Sequence, residues 1–477
     1  MTAGPPDEAA TDRIAETAAQ ARWTLRPDYA GVAWFERLID AEFADAERQR
    51  AAQEQSLGRI VAFAQAACPY YRQQLGARRF DPARPLPLDE LPALPVLSKT
   101  DLLDNPDTVR PAALPRGEQL AGSTASSGTT GKPVTVWHTA NSLRLNEMLL
   151  QRQLRWFRYN PAGRYGVIRL PTQLPPGPDG APLADGDTYR AGAWPQVGRY
   201  FDTGPYIAFG ITNPVQAQLD WLRGEQPDYL VSYSESLEHI ALASDGTPPC
   251  KLAGVTAISE MLTADMEARI SRALATRVCQ SYGLNEAGLV AARCPAGNRY
   301  HVHTEHAVVE IVDDDGQPVA HGQRGRIVIT VTSNPALPLI RYDTGDLAVA
   351  LHDDCPCGRT LPSFGQIIGR YSRIAYLPAG SMENAAVLRE ALAALPADVI
   401  TGLRRFQIHQ ASEQLFELRL QAVAPVSAAF RDAIAQAWHD AGLAAEQLEI
   451  LEVDEIPRLP NGKFQDFTSV FFPEPVS

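Results

Sequence analysis

The segment AGSTASSGTTGKPV, residues 121–134, concentrates hydroxyls, glycines and one lysine. Gly128 and Gly131 let backbone N–H groups approach a phosphate closely, and the hydroxyls of Ser126, Ser127, Thr129 and Thr130 donate further hydrogen bonds. Lys132 adds a positive charge. A Walker A loop is a different pattern: here Lys132 is followed by Pro133 rather than Ser or Thr, and the position five before Gly131 is Ser126 rather than Gly. A linker of the same composition is the plain alternative. Three more segments carry residues that could do chemistry. They are QSYGLNEAG (280–288) with Tyr282 and Glu286, PLIRYDTGDL (338–347) with Arg341 and Asp346, and IPRLPNGKF (456–464) with Lys463. Each alone reads as a strand end and a turn, but coincidence explains all four in this order poorly.

A second constellation is Cys294, His301, Cys355 and Cys357, the last two in a C-P-C run. Thiolate and imidazole at four points suit tetrahedral zinc in a closed structural site. Antiparallel strands between the two halves would bring them together. The competing reading is four ordinary residues with CPC as a turn, and His303 and His306 are lesser ligand candidates. Cys68, Cys250 and Cys279 read as small packing residues, and Trp137 and His138 as the continuation of a strand. No Ser-His-Asp set suggests a covalent nucleophile.

These residues need a scaffold, and the composition supplies one. At 477 residues and 45% hydrophobic, the chain exceeds what one core usually organises, so two or more domains are expected. A net charge of −13 argues against a nucleic-acid surface, which needs clustered Lys and Arg. No apolar run has the length of a membrane span, and the start, MTAGPPDEAATDRIAET, is not a secretory signal. Residues 1–20 read as a flexible leader. Six cysteines are too sparse for a disulfide framework, and the expectation is a cytoplasmic protein.

Apolar spacing between Trp34 and Gly76, including Leu38, Ile39, Phe43, Leu57, Ile60, Val61 and Phe63, predicts helices. The Pro-rich stretch that follows ends in Ser98 and Asp101, plausible helix caps. From about residue 120, YGVIRL, DYLVSY, GVTAIS and TRVCQSY alternate with helical PVQAQLDWLRG and ADMEARISRALA, which predicts a sheet flanked by helices. VVEIVDDDGQPV and GRIVITV predict antiparallel strands. The last hundred residues, with RRFQIHQ, QLFELRLQAV, VSAAFRDAIAQAWHDA and QLEILEV, form a compact α+β pattern that begins near Gly369–Tyr371. The expected fold is thus an α/β large N-terminal domain with mixed sheets flanked by helices (21–369), plus a small α+β C-terminal domain (370–477).

With these motifs in order, the chain resembles the adenylate-forming superfamily of acyl-CoA synthetases, peptide-synthetase adenylation domains and luciferases. Within it, the segments RIVAFAQAACPYYRQQL, LPVLSKTDLL and CPCGRTLPSFGQIIGR are similar to the phenylacetate–CoA ligase branch. The resemblance covers nearly the whole chain. It implies ATP-dependent activation of a small carboxylic acid to an acyl-adenylate, with release of pyrophosphate and then acyl transfer to CoA. Ser126, Ser127, Gly128, Thr129, Thr130, Gly131 and Lys132 would close over the β- and γ-phosphates. Tyr282 would stack near the adenine, Gly283 and Asn285 would belong to the nucleotide-binding set, Asp346 would bind the ribose hydroxyls, and Arg341 would help orient the nucleotide. Glu286 would hold Mg²⁺. Arg370 would start the hinge of a mobile small domain, and Lys463 would bridge substrate carboxylate and α-phosphate, where negative charge builds. Tyr233, Ser234, Ser236, Ser259 and Glu260 would line the acid pocket, with Tyr206, Phe209 and Trp194 as aromatic walls. Their hydroxyls suit a polar or aromatic acid. The branch also shows a similar Cys, His and CPCG arrangement, and is compatible with a homodimer.

The pattern departs from the family after Arg370. Ser372 and Arg373 stand where an acidic pair is usual, and Pro378 and Ala379 fall near an expected Arg-Gly of the pantetheine tunnel. Asn285 replaces the usual Thr or Ser. Three readings stay open. The first is an aryl-acid CoA ligase using ATP, Mg²⁺ and CoA. The second is a ligase that passes its acyl-AMP to an amine or a carrier-protein thiol. The third is a non-catalytic nucleotide-binding homologue, against which Glu286, Asp346 and Lys463 argue.

Overall fold

The computed structural model describes residues 23–24, 26, 38–125, 134–177, 180–259, 262–370, 374–376, 382–384, 403–412, 414–422, 425–440, 447–454, 456 and 467–470. It begins with helices α1 (Ala46–Ala67), α2 (Pro69–Gln74) and α3 (Lys99–Asp104). Leu57, Ile60, Val61 and Ala64 recur on one face of α1 and are buried, as helical spacing requires. Phe43 is 58% exposed, contrary to its place in that apolar series; its ring lies under the Arg359 guanidinium instead. Ser98 caps α3 through a reciprocal capping box with Asp101.

Strands β1 (Leu120–Ala125) and β2 (Thr135–Thr139) pair antiparallel and lead into α4 (Ala140–Trp156). An alternating segment follows: β3 (Tyr165–Arg169), β4 (Thr188–Ala191), β5 (Tyr206–Gly210), α5 (Val215–Glu225), β6 (Tyr229–Tyr233), α6 (Ser234–Ala243), β7 (Gly254–Ile258), α7 (Ala264–Ala273) and β8 (Val278–Leu284). Then come β9 (Gly288–Arg293), β10 (Tyr300–Val302), β11 (Ala307–Val312), β12 (Arg324–Val331), β13 (Leu339–Ala350) and β14 (Ser363–Arg370). Strands β3 to β14 make one twelve-stranded sheet of order β11-β12-β13-β14-β10-β9-β8-β7-β6-β3-β5-β4.

Two kinds of pairing meet in β8. Its residues Val278–Gln280 run parallel to β7, and Ser281–Leu284 run antiparallel to β9. The parallel half is β5-β3-β6-β7-β8, with β4 antiparallel on its edge. One face of it packs on α5, α6 and α7 through Ile168, Phe209, Leu222, Leu230, Leu237 and Ile270. The alternate residues of the same strands, such as Val167, Tyr206, Ala208 and Val231, face the other way, which is the period-two consequence of the strand pleat. The antiparallel half shares its core with α1 and α2 through Leu57, Tyr71, Val302, Ile329 and Leu339.

Beyond Arg370, β15 (Ile374–Tyr376) pairs with β16 (Met382–Asn384). β17 (Leu403–Ser412), β18 (Leu415–Ala422), helix α8 (Ala428–Asp440), β19 (Leu448–Glu452) and β20 (Phe467–Ser469) complete the chain. The second sheet has the order β19-β18-β17-β20. Its core, Ile408, Phe416, Leu418, Phe430, Ile434 and Trp438, comes from β17, β18 and α8. A large mixed sheet flanked by helices and a smaller C-terminal sheet with its own core match the expected fold.

Candidate active site

Tyr282 and Asp346 are 64 residues apart in the chain, and the fold joins them: the Tyr282 hydroxyl donates to Asp346 Oδ2 at 2.8 Å. Both are buried. Tyr282 lies on β8 just past the junction of the two half-sheets, its ring edge-on to Phe364 at 5.8 Å. Asp346 is placed by a bulge in β13. Asp343 pairs with Val328 and Leu347 with Arg326, so Thr344, Gly345 and Asp346 oppose Ile327 alone. Gly345 takes φ +79°, a conformation that costs other residues energy. Side chains hold the bulge. Asp343 accepts from Gly345 N at 2.9 Å and from Arg326 at 2.6 Å, and Thr344 Oγ1 accepts from Asp346 N at 3.2 Å while donating to Ile327 O at 2.9 Å. Asp343 and Thr344 support the site without having been singled out in the sequence, though their position inside YDTGD was a usable signal.

Glu286 sits in the turn from β8 to β9 and is buried. Among the described residues no hydrogen bond or ion pair engages its carboxylate, so its oxygens are free for a cation. The turn is anchored from two sides. His306 Nε2–H donates to Ala287 O at 2.6 Å while its Nδ1 accepts from Ser333 at 2.7 Å. Asn146 Oδ1, from α4, accepts from Leu289 N at 2.9 Å. Burial lowers His306 to about 4, so the ring is neutral. Gly283 is there for close approach: a Cβ would meet the Gly288 carbonyl oxygen at 2.6 Å. Asn285 is exposed in the turn.

Arg341 requires a correction. Its expected task was to orient a nucleotide, yet its guanidinium is almost wholly committed to the scaffold. Nε–H donates to Glu310 at 3.0 Å, one terminal nitrogen donates to the carbonyls of Pro92 at 3.0 Å and Leu94 at 2.7 Å, and the other to Gly316 O at 2.6 Å. Four of the five N–H groups are thereby used. The side chain is 2% exposed and the backbone stands at φ +50°. Arg341 ties the Pro-rich linker to the β11–β13 sheet. Burial leaves the Glu310 carboxyl above its ordinary value, the adjacent Arg341 offsetting only part of the rise.

Of the expected acid-pocket residues, Tyr233, Ser234, Ser236 and Ser259 gather at the carboxyl ends of adjacent parallel strands, the usual ligand side of an open α/β sheet. Tyr233 ends β6 and is in register with Ile258 at the end of β7, next to Ser259. The Tyr233 hydroxyl donates to Gln173 Oε1 at 2.6 Å. Ser234 and Ser236 start α6, and the buried Ser236 Oγ has no partner among the described residues. Ser259 is exposed at φ +63°. Tyr206 shares the Tyr233 face, but Phe209 does not: it stacks on Trp221 at 5.3 Å in the helix-side core. Trp194 stacks on Tyr165 at 4.7 Å, near the other end of β3, and donates to Gly163 O at 3.0 Å. Both are packing residues rather than pocket walls. Ser126, Ser127, Gly128, Thr129, Thr130, Gly131, Lys132, Glu260 and Lys463 lie outside the described residues, as does the leader 1–20. The Arg370 backbone pairs with Asp346 across β14 and β13; its side chain is outside the description.

The four ligand atoms of Cys294, His301, Cys355 and Cys357 lie within 4.8 Å of one another. Cys294 and Cys355 Sγ are 3.6 Å apart, and Cys357 Sγ is 3.3 Å from His301 Nε2. Tetrahedral zinc at its usual bond lengths needs about 3.8 Å between sulfurs and about 3.5 Å between sulfur and nitrogen. The set therefore fits that ion. His301 Nδ1–H donates to Leu361 O at 3.1 Å, which turns the Nε2 lone pair toward the thiols, and burial lowers the ring to about 4. Burial pushes the Cys294 thiol up to about 12. Burial also works to raise Cys357, but hydrogen bonds led by the Arg359 N–H outweigh it and the thiol is lowered. The lesser candidates are occupied elsewhere: His303 accepts from Arg152 at 2.7 Å, and His306 holds the Glu286 turn. Cys68, Cys250 and Cys279 are core residues whose thiols burial raises to about 12, 11 and 11.

No protein-family model matches the chain. It is 31% identical over 342 residues to a phenylacetate–coenzyme A ligase of Thermus thermophilus, covering 68% of this chain and 71% of that protein. It is 30% identical over 351 residues to the phenylacetate–coenzyme A ligase of Escherichia coli, covering 71% and 73%. Among solved structures, a 2-hydroxyisobutyryl-CoA ligase in its postadenylation state, in complex with 2-HIB-AMP, aligns over 94% of both chains with a TM-score of 0.70 at 20% identity. An anthranilate CoA ligase in complex with anthranoyl-AMP aligns over 74% of this chain and 68% of that one with a TM-score of 0.52 at 16% identity. At these identities the structural likenesses speak to fold.

Proposed function

The chain belongs to the phenylacetate–coenzyme A ligase family, and from that membership we propose that it activates a polar or aromatic carboxylic acid with ATP and transfers the acyl group to CoA. It is an AMP-forming ligase. The acid carboxylate attacks the α-phosphorus, the bond to the β-phosphate oxygen breaks, and pyrophosphate leaves. The CoA thiol then attacks the acyl carbon and AMP departs with the electron pair of the acyl–oxygen bond. The observation that carries this reading is the Tyr282–Asp346 hydrogen bond, which joins two separate motifs at one buried point of the fold.

In this reading Asp346 accepts from the ribose hydroxyls, and Tyr282 both orients Asp346 and offers its ring to the adenine. Ser126–Lys132 close over the β- and γ-phosphates. Glu286, with no protein cation engaging it among the described residues, would hold Mg²⁺, which neutralises phosphate charge when bound. Tyr233, Ser234, Ser236, Ser259 and Glu260 face the acid. The small domain starts at Arg370 and brings Lys463 to the reacting carboxylate and α-phosphate. Cys294, His301, Cys355 and Cys357 would hold a structural zinc that ties the end of β9 to the loop before β14. Six cysteines, too sparse for a disulfide framework, support a cytoplasmic location. No helix among the described residues is long and apolar enough to cross a membrane. Family likeness supports a homodimer.

One observation favours a second acceptor: Ser372, Arg373, Pro378 and Ala379 replace the residues usual at the thioester-forming surface. An amine or a carrier-protein thiol then takes the acyl group in place of CoA. Mass-spectrometric product analysis with ATP, acid and each acceptor in turn distinguishes the two. Acyl-CoA as the main product supports the first reading. Acyl-AMP that accumulates with CoA and is consumed only by an amine or carrier protein replaces it with the second.

A further inference from the structure

Arg169 ends β3 at the carboxyl edge of the parallel half-sheet. β3 and β6 are in register, with Val167 beside Val231, so two residues on Arg169 stands beside Tyr233 and on the same face. On its other side it pairs with Gly210, which contributes no side chain to that face. Its Nε is buried and has no hydrogen-bond partner, and among the described residues no carboxylate forms an ion pair with its guanidinium. Its neighbours are tyrosines. The Tyr206 ring lies 6.3 Å from Tyr165 and 6.1 Å from Tyr189. Burial pushes the Tyr206 hydroxyl up to about 12, with Arg169 near enough to pull against it. The Tyr206 phenol is therefore neutral and cannot balance the guanidinium, which stays charged at any working pH. Three other arginines of this large unit are treated differently: Arg152 grips Glu305, Arg326 grips Asp343, and Arg341 grips Glu310. Arg277 also lacks a carboxylate partner among the described residues, but it lies at the opposite, amino-terminal end of the parallel strands, just before β8.

A half-buried cation without a counter-ion is costly in an isolated protein and is relieved by an anion. It stands beside Tyr233, with the partnerless Ser236 hydroxyl at the start of the next helix. We propose that Arg169 is a specificity-determining residue of the acid pocket, selecting acids that carry a second anionic oxygen group besides the carboxylate that is activated. This rests on the activation reading above and names its substrate class: a dicarboxylic or comparably dianionic acid, with an aromatic or short polar frame that fits the tyrosine-lined face.

The test is acid-dependent exchange of pyrophosphate into ATP with matched pairs. These are phenylacetate against its 2-, 3- and 4-carboxy derivatives, and pentanoate against glutarate. At least one dianion is expected to exceed its monoanion partner in kcat/KM. Arg169→Gln should cut that preference by about 30-fold, carried by KM of the dianion, which is ~2 kcal/mol at 1.4 kcal/mol per tenfold and is typical of a hydrogen bond to a charged group. Arg169→Lys keeps the charge and should restore part of the preference, which a purely structural role would not do. A wild-type preference for every monoanion, or an Arg169→Gln variant that weakens both members of each pair equally, overturns the inference while leaving acid activation standing. Absence of exchange with every acid overturns the activation reading itself, and this inference falls with it.

Discussion

Arg341→Met separates scaffold from nucleotide binding at the residue where the two expectations diverge. The substitution keeps an unbranched side chain of similar length and removes the guanidinium. It leaves the Glu310 carboxylate and the carbonyls of Pro92, Leu94 and Gly316 without their shared donor. Glu310 is only 9% exposed, so water does little to replace the lost partner. Breaking a buried pair on one side costs 3–5 kcal/mol, so about 4 kcal/mol is expected here. Unfolding entropy is near 2.1 cal/mol/K per residue, or about 0.6 kcal/mol/K for a unit of roughly 300 residues, which turns that loss into a melting shift of roughly 6 °C. The assay is a thermal melt alongside KM for ATP in pyrophosphate exchange. Tm should fall by that amount while KM for ATP stays within about twofold. Glu310→Met added to Arg341→Met should recover part of the stability, since it removes the orphaned charge. A Tm that does not move, together with a KM for ATP raised about tenfold or more, would refute the reasoning and return Arg341 to the nucleotide.

Tyr282→Phe removes the donor to Asp346, and a hydrogen bond to a charged group of about 1.5 kcal/mol predicts a rise in KM for ATP of about tenfold; an unchanged KM would show that Asp346 needs no such support. Metal analysis of protein purified without chelator should find one zinc per chain, and Cys355→Ser should lose it and lower Tm; a chain free of zinc, with Cys355→Ser melting like the parent, would contradict the proposed centre. His306 is neutral and buried, with its pKa lowered to about 4. Its stabilising contribution is therefore complete above its ordinary value near 6.5 and is lost as pH falls toward 4, on the order of 2–3 kcal/mol by pH 4.5. Urea unfolding at pH 7.5 and 4.5 should show that loss in the parent and a smaller one in His306→Asn; equal losses in both would remove His306 from the account.

The sequence was most legible where chemistry and periodicity coincide. Tyr282, Glu286 and Asp346 stood out because their motifs are unusual and ordered, and the fold brings Tyr282 and Asp346 into contact. The cluster of Cys294, His301, Cys355 and Cys357 was legible because Cys and His are few, and the antiparallel strands close the 61-residue separation between Cys294 and Cys355. Arg341 misled because its motif neighbours face the site, while the left-handed backbone at its own position carries its side chain toward the linker. Phe209 and Tyr206 differ for a simpler reason: strand side chains alternate, so three residues apart means opposite faces. The supports of the Glu286 turn, His306 and Asn146, and the bulge at Thr344–Asp346 depend on tertiary register that no local pattern encodes. Arg169 gave no signal at all in the sequence. Its meaning comes only from its place at a strand end beside Tyr233, with no counter-ion among the described residues.

The central claim is formation of an acyl-adenylate, and pyrophosphate exchange into ATP measures it most directly. Labelled pyrophosphate, ATP and Mg²⁺ are incubated with the protein across a panel of mono- and dianionic aromatic and short polar acids, with CoA omitted. The account predicts exchange that requires both enzyme and acid, proceeds without CoA, and collapses in Lys463→Ala. Tight ATP binding without exchange for any acid in the panel, or exchange that appears only when CoA is present, would contradict it.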